Sequence, residues 1–404
     1  MSTTAITGAQ VFDGTVSLGV VTVIVTGRTI TCTLPAEGEP PRADEVVDGR
    51  GATLLPGLLD AHVHLRGAGN LGQDLRYGVT TVLDMFSAPP QFTAMLRSRA
   101  ASREDEADLR SSGLMAGAVD GWPAVMLPPD PSGWRMPGLS GPDDADTFVA
   151  DRVREGSDYL KIFVEHDADV SRPTLSPETV AAVCAVGRRR GLLTVAHAPT
   201  VWAAHTARAA GVDVLTHLPL DGPLDGDLAG LVVVPTMTMM RALTDHASVR
   251  DLLADPRLTG GLPPSVVDGL ASGDRGGLPT SSAAGASYEN AARNLGRLLE
   301  AGATILAGTD ANDVPGKPAA VMHGASMHLE LELLVLAGMT PTAALHAATA
   351  TPADVFGLAD RGRIVEGARA DLLLVGGDPI TDITATRDVR RVWRAGTVAD
   401  IHGR

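Results

Sequence analysis

Between Leu54 and Leu358 short apolar runs alternate with Ala-rich, helix-patterned stretches, and this alternation admits few architectures. The runs are Leu54-Leu55, Val79 to Leu83, Leu114 to Ala118, Tyr159 to Val164, Leu192 to Ala196, Val212 to Leu215, Leu231 to Pro235 and Thr304 to Ala307. Continuous apolar strands belong to parallel sheets covered on both faces, and parallel neighbours need a crossover that is usually a helix. The intervening stretches carry helix punctuation. Ser176 is placed to cap a helix whose first position is Pro177 and which stops before Gly191, and Tyr288 to Glu300 ends at Ala301-Gly302. Eight such units predict an α/β protein built as a (β/α)8 TIM barrel, with an open doubly wound sheet as the competing arrangement.

The two ends of the chain read differently. Val20 to Val25 is β-branched, Gly27-Arg28 makes a turn, and Thr29 to Leu34 continues as another strand. Near the other end Asp371 to Val375 stops at Gly376-Gly377-Asp378-Pro379, and Val389 to Trp393 stops at Ala395-Gly396. Residues 1–55 and 359–404 are therefore expected to pair into a small β-domain, leaving 56–358 for the barrel. Two long interruptions, Asp120 to Pro142 and Arg241 to Ala286, follow the third and seventh runs. In a barrel both would lie at the C-terminal face, where substrate loops belong.

Composition narrows the function classes. A formal net charge of −15 without a basic cluster argues against nucleic acid and anionic membrane as partners. No apolar run approaches the ~20 residues of a membrane span, and the start lacks a basic-then-apolar leader. Two cysteines cannot make a disulfide framework, which suits a reducing, cytoplasmic setting.

The chemistry concentrates at strand ends. His62 and His64, at i and i+2 of one strand, share a face about 7 Å apart along the backbone. Lys161 sits within Asp158-Tyr159-Leu160-Lys161-Ile162-Phe163-Val164, His197 ends Leu192 to His197, His217 ends Val212 to His217, and Asp310 follows Ala307-Gly308-Thr309. Each alone has an ordinary reading: a satisfied core histidine, a snorkelling lysine, a helix-capping aspartate. Together, at the mouth of one closed barrel, they point at a common axis. Imidazoles with a carboxylate suit a borderline divalent cation such as zinc.

Four stretches, Pro56-Gly57-Leu58-Leu59-Asp60-Ala61-His62-Val63-His64, Gly78-Val79-Thr80-Thr81-Val82-Leu83-Asp84, Ala307-Gly308-Thr309-Asp310-Ala311 and Gly367-Ala368-Arg369-Ala370-Asp371-Leu372, resemble the amidohydrolase superfamily. Within it the likeness is to imidazolonepropionase-like and Xaa-Pro-dipeptidase-like hydrolases, over nearly the whole chain. The resemblance implies a barrel with a β-sandwich made by both termini, and metal-dependent cleavage of an amide or peptide-like C–N bond in a small molecule. It implies two divalent ions, zinc foremost with manganese, iron or cobalt as alternatives. His62 and His64 would hold the more buried ion, His197 and His217 the more exposed one, and a carboxylated Lys161 would bridge them. Asp310 would ligate the buried ion and shuttle the proton as the catalytic residue. The chemistry is coherent, since an ammonium has no lone pair and lysine can ligate only as a carbamate. A hydroxide bridging two cations is a nucleophile at neutral pH, and an amine leaves only once protonated. Self-association is common in the superfamily and is expected as a homo-oligomer.

Rival expectations are a mononuclear deaminase or a non-hydrolytic biosynthetic enzyme on the same scaffold, and a non-catalytic binding protein. Weaker site candidates are His323 and Arg66 as substrate contacts, and Trp122, Trp134 and Tyr288 as pocket walls. Asp84 is expected to be structural, and His166, His205, His246, His346 and His402 to lie on the surface or on helices.

Overall fold

Two kinds of strand pairing divide the chain. The computed structural model describes residues 1–35, 42–127, 132–166, 171–244, 252–262, 264–272, 286–313 and 321–401. His246, His402 and parts of both long interruptions lie outside these residues.

One sheet has eight strands and draws on both ends of the chain. Its order is Thr397–Val398, Val389–Arg394, Leu372–Gly376, Ala52–Pro56, Thr3–Phe12, Ser17–Thr26, Thr29–Pro35, with Glu45–Asp48 pairing beside Thr3–Phe12. The seam between the ends is antiparallel, from Leu372 opposite Pro56 to Gly376 opposite Ala52. Leu54 and Leu55, expected at the front of the alternating series, therefore lie in this terminal sheet. The first parallel strand is Leu58–Val63. The switch takes two residues: Gly57 N–H donates to the Asp371 carbonyl and Leu58 N–H to that of Gly78.

The remaining strands are all parallel to their neighbours. Leu58–Val63, Val79–Asp84 and Asp108–Ser111 form one sheet. Leu160–Phe163, Thr194–His197, Val214–Thr216, Val232–Val234 and Thr304–Ile305 form another. Isolated parallel bridges pair Ile162 with Ala116, which follows Asp108–Ser111 in the chain, and Val63 with Ala311, which follows Thr304–Ile305. The third strand was expected at Leu114 to Ala118, yet only Ala116 of that run bridges to the parallel strands; the paired segment is Asp108–Ser111. Its sequence, Asp-Leu-Arg-Ser, is polar because Asp108 lies in an ionic cluster. Its carboxylate is paired with Arg361 and Arg369 and lies 3.5 Å from Arg394. Those arginines come from the C-terminal stretch, so the cluster ties the parallel strands to the terminal sheet.

Helices cover the parallel strands as their punctuation requires. Pro177–Arg189 starts where Ser176 Oγ accepts from Thr179 N–H, and Tyr288–Glu300 where Ser287 Oγ accepts from Asn290 N–H. Val180, Val183, Leu295 and Leu298 are buried beneath them. Inside, Tyr159, Val195, Val214, Val234 and Leu306 pack as an apolar cluster with Ala61 and Leu83. Two residues further along the same strands stand Lys161, His197, Thr216, Thr236 and Gly308. Because side chains alternate along a strand, the apolar cluster becomes a floor under a polar layer.

Candidate metal centre

The six side chains singled out in the sequence occupy that layer and its rim. His62 is fully buried on Leu58–Val63, and His64 lies just beyond it. Their Nε2 atoms stand 3.5 and 3.1 Å from Asp310 Oδ1, and His217 Nδ1 stands 3.8 Å from Asp310 Oδ2. Ligand atoms of His62, His217 and Asp310 all fall within 4.8 Å of one another. The rings of His62 and His217 are 5.0 Å apart, and those of His217 and His197 4.6 Å apart. Lys161, buried on Leu160–Phe163, donates from Nζ to Thr216 Oγ1 at 2.7 Å, and that hydroxyl donates to the Ala196 carbonyl. Among the described residues no carboxylate lies within ion-pair distance of Lys161.

The donor chemistry fits a cation. Both ring nitrogens of His62, Nδ1 of His64 and Oδ1 of Asp310 are buried without a hydrogen-bond partner. Unsatisfied buried polar atoms cost about 1–3 kcal/mol each, so four in one place mark a site built for something that accepts their lone pairs. Burial, reinforced by Lys161 and the other imidazoles, holds His62 well below the usual histidine range; burial and then His197 do the same for His217. Both rings stay neutral and keep a lone pair to offer. Burial also lowers the Lys161 ammonium to about 7, against the opposing pull of Asp310.

The strand ends bend sharply to reach this arrangement. His217, Thr236 and Asp310 all have left-handed backbone, with φ of 73°, 48° and 61°. Such residues cost about 1–3 kcal/mol each when they are not glycine and collect at functional sites. Surrounding hydrogen bonds hold them. His217 N–H donates to the Val234 carbonyl and Asp310 N–H to that of His62. Thr236 Oγ1 lies 2.9 Å from His217 Nδ1. Glu330 accepts from the N–H groups of Met237 and Thr238 and from the Thr238 hydroxyl, pinning the segment after Thr236. Asp60 accepts from Thr309 N–H and Oγ1 and from His62 N–H. Burial raises Asp60 and Glu330 to about 7. Glycine is needed at position 308, where a Cβ would sit 2.5 Å from Val234 Cγ1 and 2.9 Å from His62 N.

The amidohydrolase family profile matches residues 53–399, 347 of the 404 positions. The chain belongs to the amidohydrolase family. It is a hydrolase of carbon–nitrogen bonds. An imidazolonepropionase of Streptomyces griseus is 27% identical over 394 residues, covering 93% of this amidohydrolase and 91% of its own length. An imidazolonepropionase of Deinococcus deserti is 42% identical over 105 residues, 25% of either chain. A Xaa-Pro dipeptidase with methionine bound in its active site superposes with a TM-score of 0.75 at 20% identity, over 99% of this chain and 100% of that one. Among the described residues no helix is long and apolar enough to cross a membrane.

The weaker candidates sort by environment. His323 is fully buried, with Nδ1 3.1 Å from Asp74 Oδ2 and Nε2 3.3 Å from the His64 carbonyl. Asp84 accepts from Leu65 N–H and Ser111 Oγ, a structural task as expected. Trp134 packs against Phe86, Leu114 and Met115, and Tyr288 against the helical core. Burial raises the Tyr288 hydroxyl well above its usual range. Trp122 Nε1 is buried without a partner. Arg66 is half-buried beside the site, with the charges of Asp84 and Asp310 acting on it. His166 packs edge-on against Trp202, and His205 meets Asp225 at the surface. One neighbour of the site, Glu165, has no signal in the sequence. Glu165 places Oε1 3.2 Å from His197 Nε2, while its Oε2 is buried without a partner.

Proposed function

We propose that this amidohydrolase cleaves an amide or peptide-like C–N bond in a small molecule, using two divalent ions, zinc foremost, held by His62, His64, Lys161, His197, His217 and Asp310. The observation that carries the proposal is the meeting of His62, His217 and Asp310 within 4.8 Å. Our reading of the scaffold is a (β/α)8 barrel over 56–358, supported by the two isolated parallel bridges, with residues 1–55 and 359–404 as a β-sandwich domain, supported by the sheet that both ends share. The protein works in the cytoplasm, without nucleic acid or membrane, as a homo-oligomer.

A divalent cation held by these residues would supply Lewis acidity, polarising a carbonyl and bringing the pKa of water towards neutrality. The side chains do the rest. His62 and His217, neutral in their buried setting, offer lone pairs. Lys161, which has no carboxylate within ion-pair distance among the described residues, would serve as a carbamate, the one form in which a lysine is an anionic oxygen ligand. Asp310 takes the proton of the attacking water and returns it to the leaving nitrogen, which cannot depart as an amide anion. The half-buried Arg66 guanidinium is placed to receive a substrate carboxylate, as a dipeptide, an N-acyl amino acid or a carboxylate-bearing cyclic amide would present. The names of the relatives, imidazolonepropionase and Xaa-Pro dipeptidase, fall in these classes.

The tightness of the His62–His217–Asp310 group favours, as a second reading, a single-ion enzyme of the deaminase kind. A screen of dipeptides, N-acyl amino acids, lactams and aminated heterocycles with zinc- or manganese-loaded protein tests both. Turnover of an amide or lactam supports hydrolysis by the paired site; ammonia release from a heterocycle alone would overturn it.

A further inference from the structure

Glu165 lies just beyond the Leu160–Phe163 strand and is only 7% exposed. A buried carboxylate needs a reason, because ionised groups are rarely hidden unless paired. Among the described residues its carboxylate makes one hydrogen-bond contact, with a ring nitrogen: Oε1 lies 3.2 Å from His197 Nε2. The ring is clamped in other directions too. Phe163 stacks on it at 4.6 Å between centroids with 9° between planes, and the His217 ring meets it edge-on at 4.6 Å. Strand and tail thus deliver three neighbours: Lys161 into the polar layer, Phe163 onto the ring face, Glu165 onto the ring edge.

We infer that Glu165 is a positioning residue that fixes the tautomer of His197. A carboxylate only accepts hydrogen bonds, so the contact requires a proton on Nε2 and, in the neutral ring that ligation needs, leaves the lone pair on Nδ1. Metal-binding histidines usually donate their second ring N–H to a carboxylate, carbonyl or water, and losing that partner typically costs 10–100-fold in metal affinity. Glu165 fills that place for His197, which therefore binds through Nδ1. The inference rests on the metal-centre proposal for its purpose, but the tautomer itself does not depend on metal.

Two measurements test it. In metal-free wild-type protein labelled with 15N-histidine, His197, assigned by loss of its signals in His197→Gln, should show the Nε2–H tautomer. The Nδ1–H form would overturn the inference. Zinc titration of the apoproteins should then find Glu165→Ala about 10–100-fold weaker than wild type, and Glu165→Gln within a few-fold, because an amide oxygen also accepts from Nε2–H. Equal affinity of Glu165→Ala and wild type would overturn it, as would Glu165→Gln being as weak as Glu165→Ala. If Glu165→Ala does not fold, the wild-type spectrum decides. If wild type binds no zinc, the metal-centre proposal falls while the spectrum still judges Glu165.

Discussion

Asp310 stands where three imidazoles and a strained backbone meet, and its loss has a specific kinetic signature. Asp310→Asn keeps the shape but cannot carry the proton, so kcat should fall about 10²–10⁴-fold while KM changes little. A matched rise in KM with unchanged kcat would show that Asp310 only binds. If Lys161 ligates as proposed, Lys161→Ala should release most bound metal and activity, with partial rescue by formate or acetate. Unchanged metal content in that variant would make Lys161 a structural residue. These groups were legible in the sequence because histidine, lysine and aspartate are conspicuous at the ends of apolar strands. Glu165 and Thr236 were not, since an acid or a threonine after a strand is ordinary loop composition. Only the ring nitrogens they face, on strands far away in sequence, give them a task.

Elements carry their own consequences. Asp108 binds the third parallel strand to arginines of the C-terminal stretch, and those arginines hold its carboxyl far below the usual range against the cost of burial. Asp108→Asn leaves several guanidinium groups without their shared anion and should destabilise by about 3–5 kcal/mol, read as a lower urea midpoint. The helix Ala325–Leu336 buries His328, whose Nε2 lies 3.0 Å from the Tyr77 carbonyl. Burial first, then Arg387 and Arg257, lowers this imidazole to about 4 from 6.5. Its folded pKa is depressed, so above 6.5 native and unfolded chains bind the same protons there. As pH falls from about 6.5 to about 4 the unfolded chain gains a proton that the native one refuses. Stability drops across that window by about 3 kcal/mol from this group. Urea midpoints at pH 7 and pH 4.5 should therefore differ more in wild type than in His328→Gln; equal differences would discount His328. Helices were readable because capping residues announce their starts. The first and third parallel strands were misplaced for opposite reasons: Leu54-Leu55 is apolar but belongs to the terminal sheet, and Asp108–Ser111 is polar but paired.

At the scale of the molecule, metal analysis of protein purified without chelator should give close to two divalent ions per chain. A value near one would favour the single-ion reading. The alternation of apolar runs with helices already pointed to parallel strands with helical cover, since backbone pairing and burial leave few other uses for such a pattern. What no local pattern carries is the convergence of strand ends, because it arises from twist and from the three left-handed corners at His217, Thr236 and Asp310.

The bridge from Val63 to Ala311 joins two points that translation separates by most of the polypeptide. While the ribosome is still decoding the helices between them, the histidine pair has no aspartate to meet, and Ala52–Pro56 has no Leu372–Gly376 to pair with. Until its last quarter emerges, the nascent chain therefore lacks both Asp310 and the strand that pairs with Ala52–Pro56. Premature termination anywhere before that point yields a product in which His62 and His217 have no Asp310 to meet.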